Sequence, residues 1–181
     1  MQVLSVHHTF ARILVSTLVL LGAFSIVLIA EAAEVAVSPS TGSYGANQTF
    51  TVTIQANPQG KSINAVEAEL SFDKTKLSVV SVSKTGSAFS LWTTEPTFSN
   101  TAGTISFGGG SPSPFSTRSN LVSVTFRAVA EGSAAVTVTD ASVLAADGMG
   151  TDVYTAPVNG SYTVTAATAP TPTTPTPDTP T

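Results

Sequence analysis

Between residues 34 and 166, apolar and polar side chains alternate in short runs, each cut off by glycine, proline or asparagine. A period of two sends successive side chains to opposite faces of an extended chain, so these runs predict strands. They fall at 34–37, 49–55, 65–72, 77–83, around 90–98, 104–107, 121–128, 135–139 with a continuation near Val143, and 161–165. The stretches SPSTGSYG, ANPQGK, GGGSPSP, AEGS, DGMG and VNGS read as the turns between them. No part of this region sustains the apolar stripe of a helix. The expected fold class is all-β, about nine strands packed as a jelly-roll β-sandwich over residues 34–166.

Facing comes from the same alternation. Within 49–55, Phe50, Val52 and Ile54 share one side, and within 121–128, Val122, Val124 and Phe126 oppose Ser123, Thr125 and Arg127. Burying such a row contributes about 1.5–3 kcal/mol per large side chain, and a one-residue slip would turn all of it to water. Applied to 65–72, the rule turns Val66, Ala68, Leu70 and Phe72 inward and leaves Glu67 and Glu69 outward. Only 10% of the chain is charged, so two glutamates on one side of one strand are a dense placement. They are either solubilising charges or part of a recognition surface. After Phe72 the chain breaks at a corner and resumes its apolar run at Leu77. Phe72 is expected to pack inward, Asp73 to accept backbone N–H groups as an Asx turn, and Leu77 to restart the core, all structural roles.

Two segments break the pattern. Residues 13–30, ILVSTLVLLGAFSIVLIA, come directly after Arg12 and carry no charge, as in a signal-peptide core or a short membrane helix. Ala30-Glu31-Ala32-Ala33 offers the small-x-small spacing of a signal peptidase site. Residues 1–33 therefore read as an export signal or a membrane anchor, a hydrophobic helix in either case. The body of the chain, from residue 34 onward, is expected outside the cytoplasm, secreted or at the cell surface. At the far end, residues 167–181 alternate threonine and proline and read as an extended, polyproline-like linker.

Composition narrows the chemistry. The absence of cysteine excludes disulfides, zinc–thiolate sites and thiol nucleophiles. Both histidines, His7 and His8, precede the apolar block, and the serines have no Gly-x-Ser-x-Gly elbow and no base partner. No catalytic residue is assigned, and the chain is not expected to be an enzyme. A net charge of -4 leaves no basic footprint for nucleic acid. The glycine run in SFGGGSPSP lacks the lysine and following helix of a phosphate cradle and reads as a flexible loop. Asp140, Asp147 and Asp152 match no EF-hand spacing, and turn chemistry accounts for Asp147-Gly148, so neither metal nor cofactor is assigned.

Taken in order, GANQTFTVTIQA, INAVEAELSFDKTKLSVVSVS, GTISFGG, NLVSVTFRAVAEGSAAVTV and VNGSYTV resemble a cohesin domain across residues 35–164. The corner from Phe72-Asp73 to Leu77-Ser78-Val79-Val80 carries much of the resemblance, with Phe72 where the family usually has tyrosine and Lys74 where it has proline. The resemblance implies a non-catalytic docking module that binds a dockerin, a small helical partner carrying its own calcium, within a polysaccharide-degrading assembly. It implies a binding face built from 65–72, 90–98, 104–107 and the run near 135–144. It also puts Glu67 where cohesins often carry a polar residue that hydrogen-bonds the partner. Trp92, the single tryptophan, is either an anchor on that face or a cap on the core. Two rivals stand beside this reading. One is a carbohydrate-binding module using the rings of Trp92, Tyr44, Tyr154 and Tyr162; the other is a structural surface or adhesion module with no discrete ligand.

Overall fold

A computed structural model describes residues 33–167. The expected N-terminal helix and most of the threonine–proline linker lie outside the described residues. The strands are β1 (Ala33–Ser38), β2 (Thr41–Gly45), β3 (Thr49–Asn57), β4 (Ile63–Phe72), β5 (Leu77–Ser83) and β6 (Leu91–Ser99). They continue as β7 (Thr104–Phe115), β8 (Ser119–Ala128), β9 (Gly132–Ala145), β10 (Tyr154–Val158) and β11 (Gly160–Thr165). One sheet runs β10-β1-β3-β8-β5 and the other β2-β11-β9-β4-β7-β6, and together they make an all-β jelly-roll sandwich.

Every alternating run in the sequence is a strand, and three differences come from tertiary pairing. SPSTGSYG holds β2, which has no apolar alternation of its own. It is ordered by parallel pairing with β11 and by Tyr44, whose ring stacks on Phe50 at 3.8 Å. β10 is likewise an unforeseen strand, paired in parallel with β1 at the sheet edge, where Pro157 is tolerated. The largest correction concerns GGGSPSP. It is no flexible loop: Gly108, Gly109 and Gly110 lie within β7, opposite Glu67, Val66 and Ala65 of β4, with β6 on the other side. The two prolines fall in the irregular stretch between Gly110 and Phe115, where the ladder to β4 shifts register.

Alternation fills the space between the sheets. Phe50, Val52 and Ile54 from β3, Val66, Ala68, Leu70 and Phe72 from β4, and Val122, Val124 and Phe126 from β8 are all buried. Phe50 meets Tyr162 and Phe126 with ring centroids 5.2 and 5.8 Å apart, and Phe72 meets Phe126 edge-on at 5.4 Å. The corner after β4 closes on itself. Asp73 Oδ1 accepts hydrogen bonds from the Thr75 backbone N–H at 2.9 Å and the Thr75 hydroxyl at 2.6 Å. The Asp73 carbonyl accepts from the Leu77 N–H at 2.8 Å, and Leu77 is buried. The Thr75 hydroxyl holds the Asp73 carboxyl below the usual aspartate range.

Candidate interaction face

β4 lies between β9 and β7, with β6 beyond β7. The four segments expected to share a face are therefore side by side in one sheet. Pleating exposes Glu67 and Glu69 on the outer side while their neighbours on β4 are buried. Across the β4–β9 ladder Glu67 stands opposite Ser142, and Glu69 stands opposite Asp140. Across the β4–β7 ladder the facing residues are Gly108 and Ser106.

Two hollows mark this outer face. One is a groove of about 600 Å³ walled by Ala65, Leu91, Pro112 and Leu144. Its floor exists because β7 has no side chains there: a Cβ on Gly110 would meet the Asn64 carbonyl oxygen at 2.6 Å and the Ala65 Cβ at 3.3 Å. Leu91, which lines this groove, is 60% exposed. The second hollow, about 230 Å³, is lined by Glu67, Glu69, Asp140, Ser142 and Asp152. Glu67 and Ser142 line both, so the hollows adjoin.

Asp152 is fixed in the second hollow by its own hydrogen bonds, accepting at Oδ1 from the Tyr154 N–H at 2.8 Å and the Val143 N–H at 3.1 Å. Partial burial pushes its carboxyl up, yet these bonds prevail and hold it below the usual aspartate range. Glu67, Glu69 and Asp140 make no side-chain hydrogen bond or ion pair with another described residue, and neither hollow is lined by lysine or arginine. Among the described residues no group of three or more potential ligands is disposed to hold a metal ion. Asp147 lies apart in a turn, accepting from the Met149 N–H at 2.8 Å.

Trp92 takes a different direction from the glutamates. It sits on β6 opposite Gly109, half-buried, packing edge-on against Phe89 at 5.3 Å, with the Lys84 ammonium 5.3 Å from its ring. Lys84 in turn pairs with Glu95 at 2.8 Å. Gly109 has no side chain because Phe89 occupies its place, 2.7 Å from where a Cβ would sit. The tyrosines also turn inward. Tyr162 is buried, donating its hydroxyl to the Pro39 carbonyl at 2.6 Å, and Tyr44 and Tyr154 pack against the core. The four rings weighed as a sugar platform form no exposed row.

Sequence reasoning reached the glutamates through alternation on one strand. It put the segments holding Leu91, Leu144 and Asp140 on the same face only through the resemblance and did not single out these residues, because β9, β4, β7 and β6 come side by side only through the sheet order. The glycines of β7 were the available signal, since glycine inside a strand marks a place where something approaches closely.

A sandwich whose outer sheet combines a bare apolar groove with unpaired acids has the build of a binding module. The family profile described as Cohesin domain matches residues 34–164, and the chain belongs to the cohesin family, whose members are non-catalytic binding modules. Solved structures agree on the fold. A cohesin from Clostridium acetobutylicum is 22% identical with a TM-score of 0.59, covering 75% of this chain and 92% of its own. A non-cellulosomal cohesin from the archaeon Archaeoglobus fulgidus is 18% identical with a TM-score of 0.58, covering 75% and 92%. A type I cohesin–dockerin complex from Clostridium thermocellum matches at 12% identity and a TM-score of 0.62, covering 74% and 93%. A comparison with curated proteins gives no match.

Proposed function

We infer that this chain is an extracytoplasmic docking module whose β9-β4-β7-β6 face receives a dockerin-like partner. The observation that carries this reading is the pairing of the cohesin fold with an outer sheet face on which Glu67, Glu69 and Asp140 have no ion-pair partner among the described residues and Leu91 is exposed. Similar structures are complexes of cohesins with dockerins, which supports a partner of that kind. Calcium belongs to the partner in this reading, and the chain needs no cofactor. Residues 1–33 serve as export signal or anchor, and residues 167–181 hold the domain away from its attachment, within an assembly acting on polysaccharide.

The test is titration of the full chain, in mild detergent, with calcium-loaded dockerins by surface plasmon resonance. Saturable, calcium-dependent binding is expected, weakened by Glu67→Ala with Glu69→Ala while the melting temperature holds. Unchanged binding in that variant removes both glutamates from the interface. Retention on insoluble polysaccharide, lost with Trp92→Ala and without dockerin binding, would establish the sugar-binding rival instead.

A further inference from the structure

Two stretches of the chain run asparagine, a residue other than proline, then serine or threonine: Asn47-Gln48-Thr49 and Asn159-Gly160-Ser161. In an exported protein that triplet is the acceptor signal for N-linked glycans, but it also arises by chance, so its surroundings decide. Asn159 is already employed. It stands at the entry to β11, and its Oδ1 accepts the Val138 N–H at 3.0 Å. Gly160 is buried, a Cβ there would meet the Tyr162 hydroxyl at 2.6 Å, and the Ser161 N–H donates to the Ser40 carbonyl at 2.8 Å.

Asn47 is placed differently. It is exposed in the turn between β2 and β3, with φ at +72°, a left-handed conformation that asparagine tolerates. The backbone around it is pinned. The Asn47 N–H donates to the Ala128 carbonyl at 2.8 Å, the Ala128 N–H to the Gln48 carbonyl at 2.9 Å, and the Gly45 N–H to Gln48 Oε1 at 2.6 Å. The Asn47 carboxamide itself enters no hydrogen bond among the described residues. The same holds for the Thr49 hydroxyl: Thr51 and Thr53, next along its row, bond to Thr125 and Ser123, whereas exposed Thr49 faces Arg127 without bonding to it. Beside the turn lies a hollow of about 340 Å³ lined by Gly45, Asn47, Gln48 and Ala167, room for a first sugar to rest. β2 is the edge strand furthest from β6, so a glycan on this turn leaves the docking face clear.

We propose that Asn47 is an N-glycosylation site, taking its glycan from a lipid-phosphate-linked oligosaccharide once the chain has left the cytoplasm. Asn47 Nδ2 attacks the anomeric carbon of the first sugar. A C–N bond forms, the C–O bond to the phosphate breaks, the lipid phosphate leaves with the electron pair, and the amide gives up one proton. The cell's membrane-bound transferase positions the donor; this chain contributes an open carboxamide and the hydroxyl two residues on. The inference rests on the export reading and not on docking.

The test is mass spectrometry of tryptic peptides from the full chain, recovered from the cells that make it after membrane and medium are separated from cytoplasm. Cleavage after Lys61 and after Arg127 puts Asn47 and Asn159 on different peptides. The peptide ending at Lys61 is expected to carry a glycan mass on Asn47, lost in Thr49→Ala and kept in Thr49→Ser, while Asn159 stays bare. Melting curves of the two variants report that both are folded. Exported chain with Asn47 bare, a glycan on Asn159 in its place, or a glycan that survives Thr49→Ala would overturn the proposal and leave export and docking intact. Chain retained in the cytoplasm would overturn export and the proposal together.

Discussion

Gly108 and Gly109 are adjacent, yet alanine at each should have opposite consequences. At Gly109 the new Cβ would sit 2.6 Å from the Leu91 carbonyl oxygen and 2.7 Å from the Phe89 ring. Carbon contacts settle at about 3.5–4.0 Å, and Phe89 is buried, so either the ring or the β6 backbone must move. Overpacking of this kind costs about 1–3 kcal/mol. Replacing a strand glycine by alanine returns about 0.5–1 kcal/mol of chain entropy, leaving a net loss of about 1–2 kcal/mol. For a domain of this length that lowers the melting temperature by about 3–10 °C. At Gly108 the Cβ would meet Thr93 Oγ1 at 3.0 Å and Glu67 Cγ at 3.4 Å. Both belong to exposed side chains that can turn away, so the entropy gain survives and stability should hold or rise by up to about 0.5 kcal/mol. Thermal and urea melts of the two variants beside the native chain, followed by circular dichroism, read the difference, with equal urea slopes confirming that the unfolded states match. If both variants melt together, or Gly108→Ala is the weaker, then residues 108–110 do not alternate across a strand and the placement of the groove fails with it.

Single contacts set three further outcomes. Glu69→Gln removes a like charge opposite Asp140, so the melting temperature should hold or rise, with the gain shrinking near 1 M NaCl; a lower value in low salt would show that the pair does not repel. The hydrogen bonds from Thr75 depress the folded-state pKa of Asp73, so its stabilisation is present above the unfolded pKa and disappears as pH falls through the folded value. Asp73→Asn should therefore cost up to about 1 kcal/mol at neutral pH, with the gap to the native chain closing below about pH 4, and a pH-independent gap would contradict the Asx turn. Burial pushes the Tyr162 hydroxyl well above the usual tyrosine range, so an alkaline absorbance titration should show its ionisation only together with unfolding, and Tyr162→Phe should cost about 1 kcal/mol.

How much of the molecule was legible depended on where each signal lies. Period-two alternation is local, and it disclosed β3, β4, β5 and β8 together with the inward row from Val66 to Phe72. The Asx chemistry of the corner was legible for the same reason, since Asp73 and Thr75 are two residues apart. β2 and β10 carry no such pattern, because their order comes from ladders to strands more than a hundred residues away. The glycines of β7 misled for a different physical reason. Glycine weakens a strand taken alone, but here its missing side chain lets Phe89 pack beneath one position and leaves the groove open at the next. Trp92 could not be placed from sequence, because the bulges between β6 and β7 decide which way β6 faces.

The acids of the outer face also carry an energetic argument. Nothing in the core needs them: Val66, Ala68 and Leu70 are buried whatever stands between them, and repulsion between Glu69 and Asp140 subtracts from the stability those residues supply. A cation arriving on this face would cancel that repulsion, and a ligand that binds only the folded chain stabilises it in proportion to the logarithm of its concentration over Kd. The two effects have opposite signs in the free and bound protein. Glu69→Gln should therefore match or exceed the native chain in melting temperature when alone and fall below it in the presence of a basic docking partner. That crossing separates acids kept for binding from acids kept for solubility, since a purely solubilising glutamate would leave the order of the two proteins unchanged by the partner.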